Sequence, residues 1–236
     1  MSCAARLLSA TVLALNVSYP NVALAQQQPV VVELYTSQGC SSCPPADAMF
    51  SELKDREDVI AIALHVDYWD YIGWKDEFGN PAHAERQRAY AAKAGRRSIY
   101  TPEMVVNGQT DIVGAKPMVL SKAIAQHGAQ KPLTELNAER SGNKLRIQAA
   151  TPVSETGMMD VHVLRLIPSQ KTKITRGENR GETYEYTNIA HSLQVAGTWD
   201  GKSALDLSLA VGGDDPVVVL LQEAGAGKII AAARLD

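Results

Sequence analysis

Cysteine is scarce: Cys3, Cys40 and Cys43 are the only three in 236 residues. No second Cys-x-x-Cys and no closely spaced histidine pair accompanies them, which excludes a zinc ribbon. Positive charge is thin as well. Lys and Arg number 23 against 26 Asp and Glu, a net charge of −3, with no Lys/Arg-rich block. Nucleic acid and anionic membrane surfaces are therefore not expected partners. The N-terminal apolar stretch, Leu7 to Leu15, is too short and too broken by Asn16 and Pro20 to span a bilayer, so no stable membrane insertion is expected. Internal repeats and low-complexity tracts are missing too. With 45% hydrophobic and 21% charged residues the chain is not disordered, and its length suits one large domain or two modest ones.

The N-terminus reads as an export signal. Arg6 is the positive region, Leu7 to Leu15 the apolar region, and Ala23-Leu24-Ala25 a small-x-small cleavage site. Residues 1–25 are then a signal peptide, Cys3 is removed with it, and the mature chain is periplasmic or secreted. Outside the cytosol disulfides persist, which changes how Cys40 and Cys43 are read.

Along the mature chain two textures follow one another. Val30 to Tyr35 is a buried strand, apolar apart from Glu33; Ala46 to Leu53 repeats at helical spacing; Val59 to Val66 is a second buried strand. His83 to Ala94 is a polar helix, Glu103 to Val106 and Asp111 to Gly114 flank an Asn107-Gly108 hairpin turn, and Pro117 to His127 is a last helix. The order is β-α-β-α-β-β-α. Beyond residue 130 helical periodicity disappears. Seven strand-like runs follow: Leu133 to Ala138, Lys144 to Ala150, Asp160 to Ile167, Glu182 to Ala190, Leu205 to Val211, Val217 to Gln222 and Lys228 to Leu235. Their spacing predicts a mainly antiparallel β-sandwich-like domain over 131–236. The expected domains are thus 26–130 and 131–236.

Cys40-Ser41-Ser42-Cys43 joins the first strand to the first helix. Two thiols at that spacing can close a structural disulfide, exchange one with another protein, or hold a metal. A helix N-terminus favours the thiolate, the reactive form. Ser41 and Ser42 carry no charge, so nothing adjacent lowers the Cys40 pKa further.

The element order with Cys-x-x-Cys after the first strand resembles the thioredoxin fold. Glu33 to Cys43 is similar to the strand-loop-helix of glutaredoxins and thioredoxins, and Thr101-Pro102 matches the Thr-Pro that carries their cis-proline. More narrowly, the mature chain resembles a family of secreted bacterial thioredoxin-like proteins, a domain of unknown function. Tyr35 to Pro45, Val66 to Asp76 with Glu85 to Tyr90, and Thr175 to Asn179 carry that likeness. The resemblance implies an α/β thioredoxin-like domain followed by the β-rich domain. It implies an exposed Cys40 as nucleophile, Cys43 as resolving thiol, Thr101 and cis-Pro102 beside them, and Glu33 as a buried acid that moves the resolving thiol's proton. The other reading of Glu33 is that it points into a polar edge and pairs with a basic side chain. The implied activity is that of a thiol–disulfide oxidoreductase acting on protein or peptide thiols, with a redox-active disulfide and no other cofactor.

Fifty-seven residues separate Cys43 from Thr101, and the excess is an aromatic stretch from Asp67 to Phe78. Trp69, Tyr71 and Trp74 are candidates for a substrate-binding wall on the cysteine end of the sheet. Packing of the insert on its own helix is the other reading. Two further functions remain open from the residues. One is a Cu(I)-handling chaperone using Cys40, Cys43 and His65, since Cu(I) favours soft thiolates. The other is a non-enzymatic binding module in which the disulfide is a staple. Arg176-Gly177-Glu178-Asn179 reads as a plain polar turn.

Overall fold

The computed structural model describes residues 28–150 and 157–236. The expected signal peptide at residues 1–25 and its cleavage site lie outside the described residues.

Strand β1 (Val30–Thr36) leads into helix α1 (Pro44–Ser51), strand β2 (Val59–His65), a short 3-10 turn (Asp70–Ile72), helix α2 (Pro81–Lys93), strands β3 (Glu103–Val106) and β4 (Thr110–Val113), and helix α3 (Pro117–Gly128). Helices α1, α2 and α3 each carry proline in their first turn, where a missing N–H leaves no bond unmade. Asn80 caps α2, its Oδ1 accepting from the Ala82 N–H at 3.0 Å. The β3–β4 hairpin turns through Asn107 and Gly108, both at positive φ, as the Asn-Gly pair predicts.

β1 and β2 run parallel, Val30 opposite Val59 and Thr36 opposite His65. Parallel strands need cover on both faces. Val30, Val32 and Leu34 with Val59, Ala61 and Ala63 pack under α1 and α3. Val31 and Tyr35 with Ile60, Ile62 and Leu64 pack under α2. The one-residue alternation of a strand thus decides which helix each β1 side chain meets.

Among the described residues seven strands follow residue 130, as many as the runs read from the sequence: β5 (Leu136–Ser141), β6 (Lys144–Ala149), β7 (Met159–Lys173), β8 (Thr183–Trp199), β9 (Leu205–Ala210), β10 (Val217–Glu223) and β11 (Ile229–Leu235). Their partners differ from the expectation. Four of them extend the first sheet into an eight-stranded one of order β11-β10-β7-β8-β2-β1-β3-β4, mostly antiparallel. β8 lies parallel to β2, with Ala63 opposite Ile189. The sheet therefore crosses the boundary expected at residue 130, because the buried strand β2 needs a neighbour on its outer edge. β5, β6 and β9 form a separate three-stranded sheet. It packs Leu145, Ile147 and Ala149 against Met159, Val161 and Val163 of β7 and Val217, Val219 and Leu221 of β10.

β7 and β8 are far longer than their sequence runs suggested. They pair from Met159–Trp199 to Lys173–Thr183. This ribbon carries its tip, residues 174–182, back to the Cys-x-x-Cys loop.

Candidate functional site

Cys40 and Cys43 form a disulfide, with Cα atoms 5.4 Å apart. Cys43 is the N-cap of α1, in helical conformation, so the helix begins at Pro44. The loop before it leaves β1 at its C-terminal end. Neither sulfur is presented to solvent: Cys40 is 1% exposed and Cys43 0%. The expected exposure of Cys40 is thus corrected, and at this edge Ser41 and Ser42 are the exposed residues.

Two segments cover the loop. The first is the aromatic insert. Trp69 donates its Nε1–H to Thr101 Oγ1 at 2.7 Å, and Trp74 donates to Gln38 Oε1 at 2.8 Å. Gly39 is pressed so closely under this insert that a Cβ there would sit 3.1 Å from Ile72 Cδ1 and 3.2 Å from Trp69 Cβ. The second is the tip of the β7–β8 ribbon. Asn179 Nδ2 donates to the carbonyls of Gln38 at 2.9 Å and Cys40 at 3.1 Å. Gly177, at φ +76°, lets the tip reach Trp74, where a Cβ would meet Trp74 Cβ at 3.2 Å. The stretch that read as a plain turn is a clamp on the cysteine loop.

Thr101-Pro102 sits on the same loop cluster, and its peptide bond is cis. Ser42 bridges the two parts of the site: its hydroxyl lies 3.4 Å from Cys40 Sγ and 3.5 Å from the Thr101 carbonyl. Cys40, Cys43, Thr101, Pro102, Trp69 and Trp74 therefore come together. Tyr71 stacks on Trp69, ring centroids 6.3 Å apart, and is 80% exposed. Of the three aromatic candidates it alone presents a largely open face.

Glu33 is not among this group. It faces α2, opposite to the α1 face of β1. Arg86 Nε and Nη2 donate to its two carboxylate oxygens at 2.6 and 3.2 Å, and Tyr90 Oη donates at 2.6 Å. The pairing with a basic side chain is the arrangement found, but Glu33 lies buried on an inner strand and not at a polar edge.

On the α1 face the C-terminal ends of β1 and β2 hold a different polar group. His65 Nδ1 and Asp76 Oδ2 are 2.8 Å apart and both side chains are fully buried. Burial works against the His65 charge, but Asp76, with Asp47 and Glu77, outweighs it and raises the pKa. Burial likewise opposes the Asp76 charge. His65 and the N–H groups of Gln38 and Phe78 outweigh it and hold the carboxyl below its usual range. Asp47, in the first turn of α1, is buried; desolvation lifts its pKa from 3.8 to about 7 against the opposing pull of His65 and Thr36. His65 Nε2 and Thr36 Oγ1 have no well-formed hydrogen bond among the described residues.

Of the residues named for Cu(I), the two sulfurs are bonded to each other and His65 Nδ1 is engaged by Asp76. Among the described residues no group of three or more His, Cys, Asp or Glu side chains is placed to hold a metal ion.

The family described as "Protein of unknown function (DUF1223)" matches residues 31–222. The chain belongs to this family. A DUF1223 match over that range takes in both the cysteine loop and the ribbon tip that covers it. The crystal structure of Agrobacterium tumefaciens protein AGR_C_4864 is similar to this chain at 29% identity and a TM-score of 0.76. The match covers 89% of this chain and 96% of that one. HBP35 of Porphyromonas gingivalis shares the fold at 16% identity and a TM-score of 0.66, over 89% of this chain and 75% of that one. No curated protein matches the chain.

Sequence reading missed Asn179, Asp76 and Asp47 as parts of this candidate site. Both Asn179 and Asp76 close stretches that carry the family likeness, but nothing local shows their role at the cysteine loop, which they reach at Gln38 from 141 and 38 residues away. Asp47 did give a local signal: it stands four residues after Cys43, on the same side of the helix.

Proposed function

We propose that this DUF1223 protein is an exported, thioredoxin-like thiol–disulfide oxidoreductase acting on protein or peptide thiols through Cys40 and Cys43. The observation that carries this reading is the convergence on Cys40 of the α1 N-terminus, the Thr101-Pro102 turn and the aromatic insert, joined through Ser42. The order of β2, β1, β3 and β4, with only β1 and β2 parallel, supports the thioredoxin-like part. Thiol exchange needs a thiolate attacking a sulfur in line; Pro44 and Pro45 bring no N–H to the start of α1, so the support there is the helix dipole alone. Tyr71 is the exposed contact for a partner chain, while Trp69 and Trp74 position the loop.

Burial of Cys40 sets a condition on this activity. A partner sulfur reaches Cys40 only when the insert or the ribbon tip lifts from the loop. Exchange then proceeds through local opening, whose free energy lies below that of global unfolding.

Reduced Cys43→Ser protein incubated with glutathione disulfide tests the reading. A mixed disulfide on Cys40 that forms without denaturant is the expected result. A Cys40 thiol that stays unmodified until the protein unfolds would make the bond a staple and the protein a binding module.

A further inference from the structure

The buried polar cluster on the α1 face has no assigned work, and one of its members, Asp47, stands one helical turn from Cys43, whose sulfur must lose and regain a proton. Cys43 and Asp47 stand one turn apart in a helical segment, the Asp47 N–H bonded to the Cys43 carbonyl at 3.0 Å. Side chains so spaced share a helix face, with Cβ atoms about 6 Å apart. Both are buried, under the helix that packs on Val32, Leu34, Ala61 and Ala63. Every element around Asp47 adds a titratable or polar group: Thr36 from β1, His65 from β2, Asp76 and Glu77 from the insert, and Tyr184 and Tyr186 from β8. Two of the facing atoms, Thr36 Oγ1 and His65 Nε2, lack a well-formed hydrogen bond among the described residues. Glu33 is excluded from this work by geometry, because both its oxygens are taken on the other face of the sheet.

We propose that Asp47 is the proton-exchange group of Cys43, an inference that rests on the thiol-exchange reading. In the oxidising direction a partner disulfide has already placed one of its sulfurs on Cys40. The Asp47 carboxylate takes the proton of the Cys43 thiol, and the thiolate attacks Cys40 Sγ. The Cys40–Cys43 bond forms, the bond to the partner breaks, and the partner leaves as a thiolate that is protonated by solvent. Two electrons pass from the protein dithiol to the partner disulfide. In the reducing direction a partner thiolate attacks Cys40 Sγ, Cys43 leaves as thiolate, and Asp47 returns the proton.

A base works best when its pKa is near the working pH. Desolvation brings Asp47 to about 7, while His65, whose own pKa Asp76 raises against burial, works against a further rise. A carboxylate at its ordinary value would hold too little affinity for the proton, and a more strongly desolvated one would not release it.

The test mixes reduced protein with excess 5,5′-dithiobis(2-nitrobenzoate) and follows two releases of thionitrobenzoate. The first reports attack by Cys40, the second closure by Cys43. Wild-type closure should rise through an inflection near pH 7. Asp47→Asn should lose that inflection, close on the order of 100-fold more slowly at neutral pH, and approach wild type in alkali. An unchanged second phase in Asp47→Asn, after a normal first phase, overturns the inference and leaves the exchange reading standing. No first release even from Cys43→Ser sinks the exchange reading and this inference with it. Infrared spectroscopy adds a readout independent of turnover. A protonated-carboxyl band titrating near neutrality should be present in wild type and missing in Asp47→Asn; a wild type without that band also overturns the inference.

Discussion

The two faces of β1 carry two buried polar clusters built from similar residues to opposite ends. On the α2 face, Glu33 is held by Arg86 and Tyr90, and Gln222 donates to Tyr90 Oη at 2.8 Å. Charge is matched by charge, and both Glu33 oxygens are occupied. On the α1 face, Thr36, Asp47, His65 and Asp76 contain one matched pair and one carboxyl with no basic partner at bonding distance among the described residues. The first cluster ties helix to sheet. The second leaves a buried carboxyl of raised pKa one helical turn from Cys43. Whether a buried carboxyl is a tether or a proton carrier is decided here by its partner, not by its burial.

Breaking the tether should have the largest effect. Arg86→Ala leaves the Glu33 charge buried and unpaired, which costs about 3–5 kcal/mol. Urea unfolding of the oxidised protein measures it. A loss below about 1 kcal/mol would mean that water reaches Glu33 and that the contrast between the faces is weaker than drawn.

The pH dependence of stability sharpens the other side. Asp47 has its folded pKa raised, so its contribution is fully present below 3.8 and is lost as pH rises through about 7. His65, also raised, adds to the same trend: its contribution is present below 6.5 and lost above its folded value. Asp76 runs the other way, present above 3.8 and lost as pH falls through its lowered value. Asp47→Asn should therefore gain on wild type between pH 4 and pH 8, by roughly 2–4 kcal/mol. A difference between the two that does not change with pH would remove Asp47 from the titrating pocket.

The smallest effect concerns the cover. Asn179→Ala removes two hydrogen bonds to the cysteine loop and should cost about 1–2 kcal/mol. The more telling readout is reduction by dithiothreitol under native conditions, which should quicken several-fold as the ribbon tip lifts more often. An unchanged rate would assign the gate to the aromatic insert alone.

Much of the scaffold was legible from local signals. The prolines before the helices, the Asn107-Gly108 turn and the apolar runs of β1 and β2 each speak for their own few residues, and the structure follows them. The count of seven later strands was legible too. Their destination was not, because strand pairing depends on which edge lies open in space. β8 pairs with β2 across more than 120 residues. At the site, Cys40, Cys43, Thr101 and Pro102 were readable from spacing and resemblance. The face chosen by Glu33 was not, since a strand residue's side depends on which helix covers it.

By itself the sequence determined a single short-range dithiol at a strand–helix junction, because covalent spacing and helix-start chemistry are local. Only the tertiary structure decided that the disulfide is covered, that Asn179 clamps its loop, and that Asp47 rather than Glu33 lies on its side of the sheet. Those outcomes come from long-range packing: the insert and the ribbon tip close over the loop from residues 38 and 141 positions away. No local pattern encodes where they land.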